Sequence, residues 1–175
     1  MIYRLSCLLA FTMFGFGVGF GLPSLSAQTQ TPTYAYPTSQ LRWNEALCHI
    51  ERGVVRLGND WRGEVSYTVN RNRIYLGYST STFDLAFTLR DNKLYIGDSY
   101  FTDAISYSLN ENKIYVGDSN FPLDIAYTIV PDRNLPGVIN IFRDNSISPF
   151  DIVTVLQGDP NPTELFALLL TMGLL

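Results

Sequence analysis

The sequence predicts an all-β fold of about five 20-residue β-hairpin repeats, closed as a barrel-like or radial assembly, with a short apolar C-terminal α-helix. Three observations predict it. The chain repeats itself at a period of twenty. Each unit holds two short segments in which apolar residues alternate with others, the mark of a half-buried strand. The 175 residues are 46% hydrophobic and 16% charged, enough for one domain with a core of its own.

The chain opens with a secretory signal over residues 1–27. Arg4 precedes an apolar run at residues 5–22, Pro23 ends the run, and Ser24, Ser26 and Ala27 offer small residues to a signal peptidase. An uncleaved membrane anchor is the competing reading, because the run approaches the length of a span. Gly15, Gly17, Gly19 and Gly21 weaken a helix there and favour cleavage. The protein is therefore expected in the periplasm or outside the cell, with no membrane span in the mature chain. Cleavage removes Arg4 and Cys7, which makes the chain more acidic and leaves Cys48 without a disulfide partner. Cys48 then reads as a small buried residue. Residues 28–40 carry no charge and are rich in Thr, Gln and Pro, which predicts a flexible linker, although Tyr34 and Tyr36 could dock onto the domain.

Residues 41–157 form the repeat domain, with the sheet expected to start near Ala46. Clear units begin at Arg73, Lys93 and Lys113, and weaker ones at Val54 and Asn140. Tyr75, Tyr95 and Tyr115 fall in register, as do Gly77, Gly97 and Gly117, then Ser79, Ser99 and Ser119, then Tyr67, Phe87, Tyr107 and Tyr127. In the unit from Lys113, Ile114 and Val116 share a face of the first segment, and Ile125, Tyr127 and Ile129 share a face of the second, as strands with β-branched and aromatic residues do. Residues 149–157 could begin a helix at Pro149, but the repeat places Pro149 on Pro122 and Asp151 on Asp124 and so predicts a strand. The short links at residues 90–92 and 110–112 read as hairpin turns, with Asn supplying left-handed backbone. The long links begin at glycine, and Gly97 and Gly117 are expected to allow a bulge or bend. A chain of hairpins must hide its edges, hence the expected closure.

Residues 158–175 form the terminal helix. Asn161 can cap it, Pro162 suits the first position, and Glu164 lies three beyond the cap. The helix is apolar on almost every side and too short to span a bilayer. Burial against the open end of the β-assembly is expected. Docking into a partner, or self-association through this helix, is the alternative.

The repeat, clearest in residues 113–129 (KIYVGDSNFPLDIAYTI), resembles short hairpin-repeat domains in small secreted bacterial, often cyanobacterial, proteins of unknown function, the β-flower group. The resemblance covers residues 73–129 well and 54–156 loosely. It implies hairpins arranged around a central axis, and it implies no reaction, ligand or functional residue.

With 12 basic against 16 acidic residues and a net charge of −4, the chain lacks the basic balance of a nucleic-acid binder. One histidine, and no nucleophile elbow or zinc-protease motif, argue against an enzyme. Asp98 beside Ser99 and Asp118 beside Ser119 could offer oxygens to calcium, the one cofactor to consider. The preferred reading is that these Asp and Ser side chains bond local backbone in turns. Tyr95 and Tyr115 lie opposite the aliphatic face of their strands and are the better candidates for stacking on sugar rings. The expected function is an exported, non-catalytic binding or envelope-associated module for a polysaccharide or an envelope protein. An assembly protein docking through its helix comes second, and an exported hydrolase is a distant third.

Overall fold

The computed structural model describes residues 31–37 and 45–175. The secretory signal expected over residues 1–27 lies outside these residues. Twelve strands follow in chain order: β1 (Thr33–Tyr36), β2 (Cys48–Glu51), β3 (Val54–Leu57), β4 (Val65–Asn70), β5 (Arg73–Leu76), β6 (Leu85–Arg90), β7 (Lys93–Ile96), β8 (Ile105–Asn110), β9 (Lys113–Val116), β10 (Ile125–Pro131), β11 (Val138–Arg143) and β12 (Ile152–Gln157). A helix, α1 (Pro162–Thr171), ends the chain. Every strand is antiparallel to its neighbours, and β1 pairs with both β12 and β2. The sheet is a closed barrel, so its backbone groups have no unpaired edge.

The barrel holds six two-stranded units, one more than expected. Five are continuous hairpins, from β2–β3 to β10–β11, and the sixth joins β12 to β1 from opposite ends of the chain. Within residues 28–40, expected to be a linker, Thr33–Tyr36 is instead a strand of the barrel. Five hairpins alone would leave two open edges, and β12 together with Thr33–Tyr36 fills the gap. Ala35 and Tyr36 are buried there, and the Thr154 hydroxyl donates to the Tyr36 carbonyl at 2.8 Å. Residues 149–157 follow the repeat: a 3-10 turn at Pro149–Asp151 leads into β12.

Because strand direction alternates, the short turns gather at one end of the barrel and the long links at the other. Asp91 and Asn92 both take positive φ, as a type I′ turn requires. In the turns on either side, Arg71 and Glu111 hold the left-handed position, so Asn is not what shapes them. The recurrent Asn residues stitch instead: the carbonyls of Asn72, Asn92 and Asn112 accept from the amides of Leu89, Leu109 and Ile129 at 2.7 Å, tying each hairpin to the next. The bulges also sit one strand away from the expected glycines. Leu85 and Phe87 oppose Tyr75 and Ile74 with Ala86 left over, and Ser106 and Ala126 repeat the irregularity at the next two seams. Gly97, at φ +60°, turns its amide onto the carbonyl of the bulged Ala86 at 2.7 Å.

The lumen is the core. Val55, Ile74, Leu94, Ile114 and Ile141 point into it and are fully buried. A twelve-stranded barrel is too wide for wall side chains alone to fill, and a helix about 10 Å across suits the gap. α1 takes that place. The Asn161 side chain accepts from the amides of Thr163 and Glu164, and the Asn161 amide donates to the Glu164 carboxylate at 3.0 Å, closing a capping box. Phe166, Ala167, Leu168 and Leu169 have no exposed surface. The helix leans on β2–β5, and Phe87, Tyr107 and Tyr127 pack in from the rest of the wall. The Tyr127 hydroxyl donates to the Leu174 carbonyl at 2.5 Å. The helix therefore lies inside the barrel rather than against its open end. Thr163 to Leu169 are all buried there.

Candidate functional site

On each strand the residues between the luminal ones face outward. Arg73 and Tyr75 flank Ile74 on β5, and Thr88 and Arg90 flank Leu89 on β6. β5 and β6 meet at a seam between hairpins, with Arg73 opposite Thr88. A groove of about 480 Å³ opens there, lined by Asn70, Arg71, Asn72, Arg73, Tyr75, Thr88, Arg90 and Tyr100. It carries three guanidiniums and no carboxylate among its lining residues.

Tyr100 reaches the groove because the link after β7 folds back along the outer wall. Thr88 donates to the Gly97 carbonyl at 2.6 Å, and Arg90 bonds the Ser99 carbonyl and the Asp98 carboxylate. The Arg90 guanidinium then lies 3.8 Å from the Tyr100 ring centre and 5.5 Å from that of Tyr95. Arg73 meets Asp98 at 3.3 Å, and a hydrogen bond with Tyr75, together with Asp98, holds its pKa above the usual value. Arg71, in the turn, has no ion-pair partner among the described residues and also lines the groove.

One repeat further on, the same seam makes a groove of about 240 Å³ lined by Asp91, Asn92, Lys93, Ser108, Leu109, Asn110, Asp118 and Asn120. Its charges are mixed. Asp118 binds Lys93 at 2.7 Å, and this hydrogen bond raises the lysine pKa.

The four residues singled out from sequence all lie on this outer wall, in unequal settings. Asp98 and Asp118 bridge hairpins through Arg73, Arg90 and Lys93. Tyr95 is half-buried beneath Arg90. Tyr115 faces outward but is only 8% exposed, so it presents no open ring for stacking. The turn chemistry expected of Asp98 and Asp118 falls instead on Asp84, Asp124 and Asp151. The hydroxyls of Ser79, Ser119 and Ser146 donate to Asp84, Asp124 and Asp151 at 2.5–2.6 Å and accept from the amides two residues on. Among the described residues no three of His, Cys, Asp and Glu gather as metal ligands would. His49 is buried, with Nδ1 2.8 Å from the Gly58 carbonyl and its ring stacked on Tyr34. Burial pushes the Cys48 thiol up to about 12.

Arg71, Arg90 and Tyr100 escaped the sequence reading because they break the repeat. The matching residues are Asp91 and Glu111, Asn110 and Val130, and Asn120. That departure is itself the signal that could have found them.

Six antiparallel two-stranded units around one axis, with grooves at the seams, define a hairpin-repeat barrel of β-flower type. The family described as 6-fold beta flower protein matches residues 37–137, more than half of the chain, and the chain belongs to that family. No curated protein and no solved structure matches it.

Proposed function

We propose that this β-flower protein is an exported, non-catalytic binding module whose ligand is a glycan carrying carboxylate or sulfate groups, held in the groove between β5 and β6. The observation that carries the reading is the convergence of Arg71, Arg73 and Arg90 with Tyr100 on one groove. Guanidiniums pair with carboxylates and with tetrahedral oxyanions through paired hydrogen bonds, and a tyrosine ring offers an apolar face to a sugar. Asn70 and Asn72 add amide donors and acceptors for hydroxyls. The leader pattern at residues 1–27 supports export, and the absence of catalytic motifs supports binding without reaction.

The test incubates the purified mature chain with insoluble peptidoglycan and with neutral and acidic extracellular polysaccharides, with and without calcium. Saturable pelleting with the acidic polymers, weakened by salt and by Arg71→Ala or Tyr100→Ala, supports the reading. Equal pelleting with neutral polymers refutes the role of charge. A calcium requirement would shift attention to Asp98 and Asp118. Turnover of chromogenic glycosides or esters would refute a purely binding role.

A further inference from the structure

The link end of the barrel is apolar where a solvent-facing rim would be polar. The 3-10 turns that lead into β6, β10 and β12 each lift one large apolar side chain into solvent. Phe83, Leu123 and Phe150 occupy the same place in their turns, and each is 97% exposed. At the same end of the barrel, Leu76, Ile96 and Val116 end β5, β7 and β9 and remain more than half exposed. Nothing in the fold asks for these side chains, since the turn leading into β8 carries Asp103 at the same position. Large apolar side chains repeated at one end of a barrel and left in solvent point to an interaction surface.

The charges beside it select the partner. Asp84, Asp103, Asp124 and Asp151 stand one in each of these turns, and none is in an ion pair among the described residues. A second copy placed rim to rim would bring two rings of carboxylates together. An anionic bilayer would meet the same repulsion. We infer that the link-end rim docks a basic polypeptide surface, one that carries apolar side chains to cover Phe83, Leu123 and Phe150 and Lys or Arg to face the four aspartates. This surface is separate from the outer-wall groove, and the inference does not rest on the glycan reading.

The experiment compares the mature chain with a Phe83→Ser, Leu123→Ser, Phe150→Ser triple variant, which keeps every charge. The probe is a fluorescent amphipathic peptide of Lys and Leu, with a Glu and Leu peptide of the same pattern as control, both read by anisotropy. Circular dichroism confirms the fold of the variant. The expected result is saturable binding of the Lys peptide, at least tenfold weaker in the variant and weaker in high salt, with no binding of the Glu peptide. Equal affinity of parent and variant overturns the inference, because charge alone would then explain binding. So does capture of the parent, but not the variant, on zwitterionic vesicles with no peptide preference. A dimer in sedimentation that the variant loses overturns it as well.

Discussion

Ending the chain at Asp159 removes the helix from the lumen. Leu165, Phe166, Leu168 and Leu169 are each no more than 7% exposed. At about 1.5–3 kcal/mol for each large side chain buried, their loss is worth roughly 6–12 kcal/mol. The whole stability of a domain is only about 5–15 kcal/mol. The shortened chain should therefore lose its cooperative melting transition and its solubility. A subtler variant separates lost packing from gross failure. Phe166→Ala keeps the helix and opens a void against the wall, at a cost of about 3–5 kcal/mol. At about 2–4 °C for each kcal/mol in a chain of this size, the melting temperature should fall by roughly 6–20 °C. The assay is thermal unfolding followed by circular dichroism, with sedimentation to confirm a monomer. A soluble truncated monomer with a cooperative melt would refute the helix as core. So would a Phe166→Ala shift of under about 2 °C, the size of an ordinary surface change.

Three further outcomes follow from particular contacts. Asn161→Ala should cost about 1 kcal/mol by removing the cap that receives two amides, read as a lower urea midpoint with unchanged slope. Gly97→Ala meets open space but must hold φ +60°, a cost of about 1–2 kcal/mol, whereas Gly53→Ala should cost more because its new carbon would also collide with the Val69 carbonyl oxygen. Cys48 should resist thiol reagents at pH 8 until the chain unfolds, since burial keeps it protonated. Its folded pKa is raised, so its contribution to stability is intact below the unfolded value near 9 and is lost as pH rises toward about 12. Urea midpoints measured from pH 8 to 11 should fall, and fall less in Cys48→Ala. Tyr34, Tyr36 and Tyr127, raised chiefly by burial, act in the same direction.

The repeat made the strands legible because period-two alternation and register are local and recur. Ile74, Leu94 and Ile114 could be placed on one face from spacing alone. Closure was legible as a need, because hairpins cannot leave their edges bare, but the strand that meets it was not. Thr33–Tyr36 is short, uncharged and flanked by prolines, and only its partners β2 and β12 make it a strand. The terminal helix was read correctly from its cap and its lack of a polar face. Its place in the lumen depends on barrel width, which follows from strand number, and that number was short by one hairpin. The exposure of Tyr115 was misjudged for a related reason. Alternation says which side of a sheet a residue takes, and says nothing of what later folds over that side. Here the links return along the outer wall, as Asp98, Ser99 and Gly97 show by their bonds to Arg73, Arg90 and Thr88.

A repeated scaffold separates what the fold requires from what it merely permits. Positions that must fill the lumen stay apolar in every unit, so their repetition needs no explanation beyond packing. Two kinds of position break this logic, in opposite directions. At the seam between β5 and β6, Arg71, Arg90 and Tyr100 depart from their counterparts, although the next seam folds with Asp91, Asn110 and Asn120 in those places. The fold does not need three cations there, so their convergence on one groove is the place to look for a ligand. At the link end, Phe83, Leu123 and Phe150 repeat although none is buried. Packing within the barrel cannot account for exposed side chains that gain nothing from it, whereas a shared partner can. Divergence where the fold is indifferent, and repetition where burial is absent, identify two separate surfaces. The first is basic and sits on the wall; the second is apolar and acidic and sits on the rim. The barrel's symmetry is what makes both departures visible.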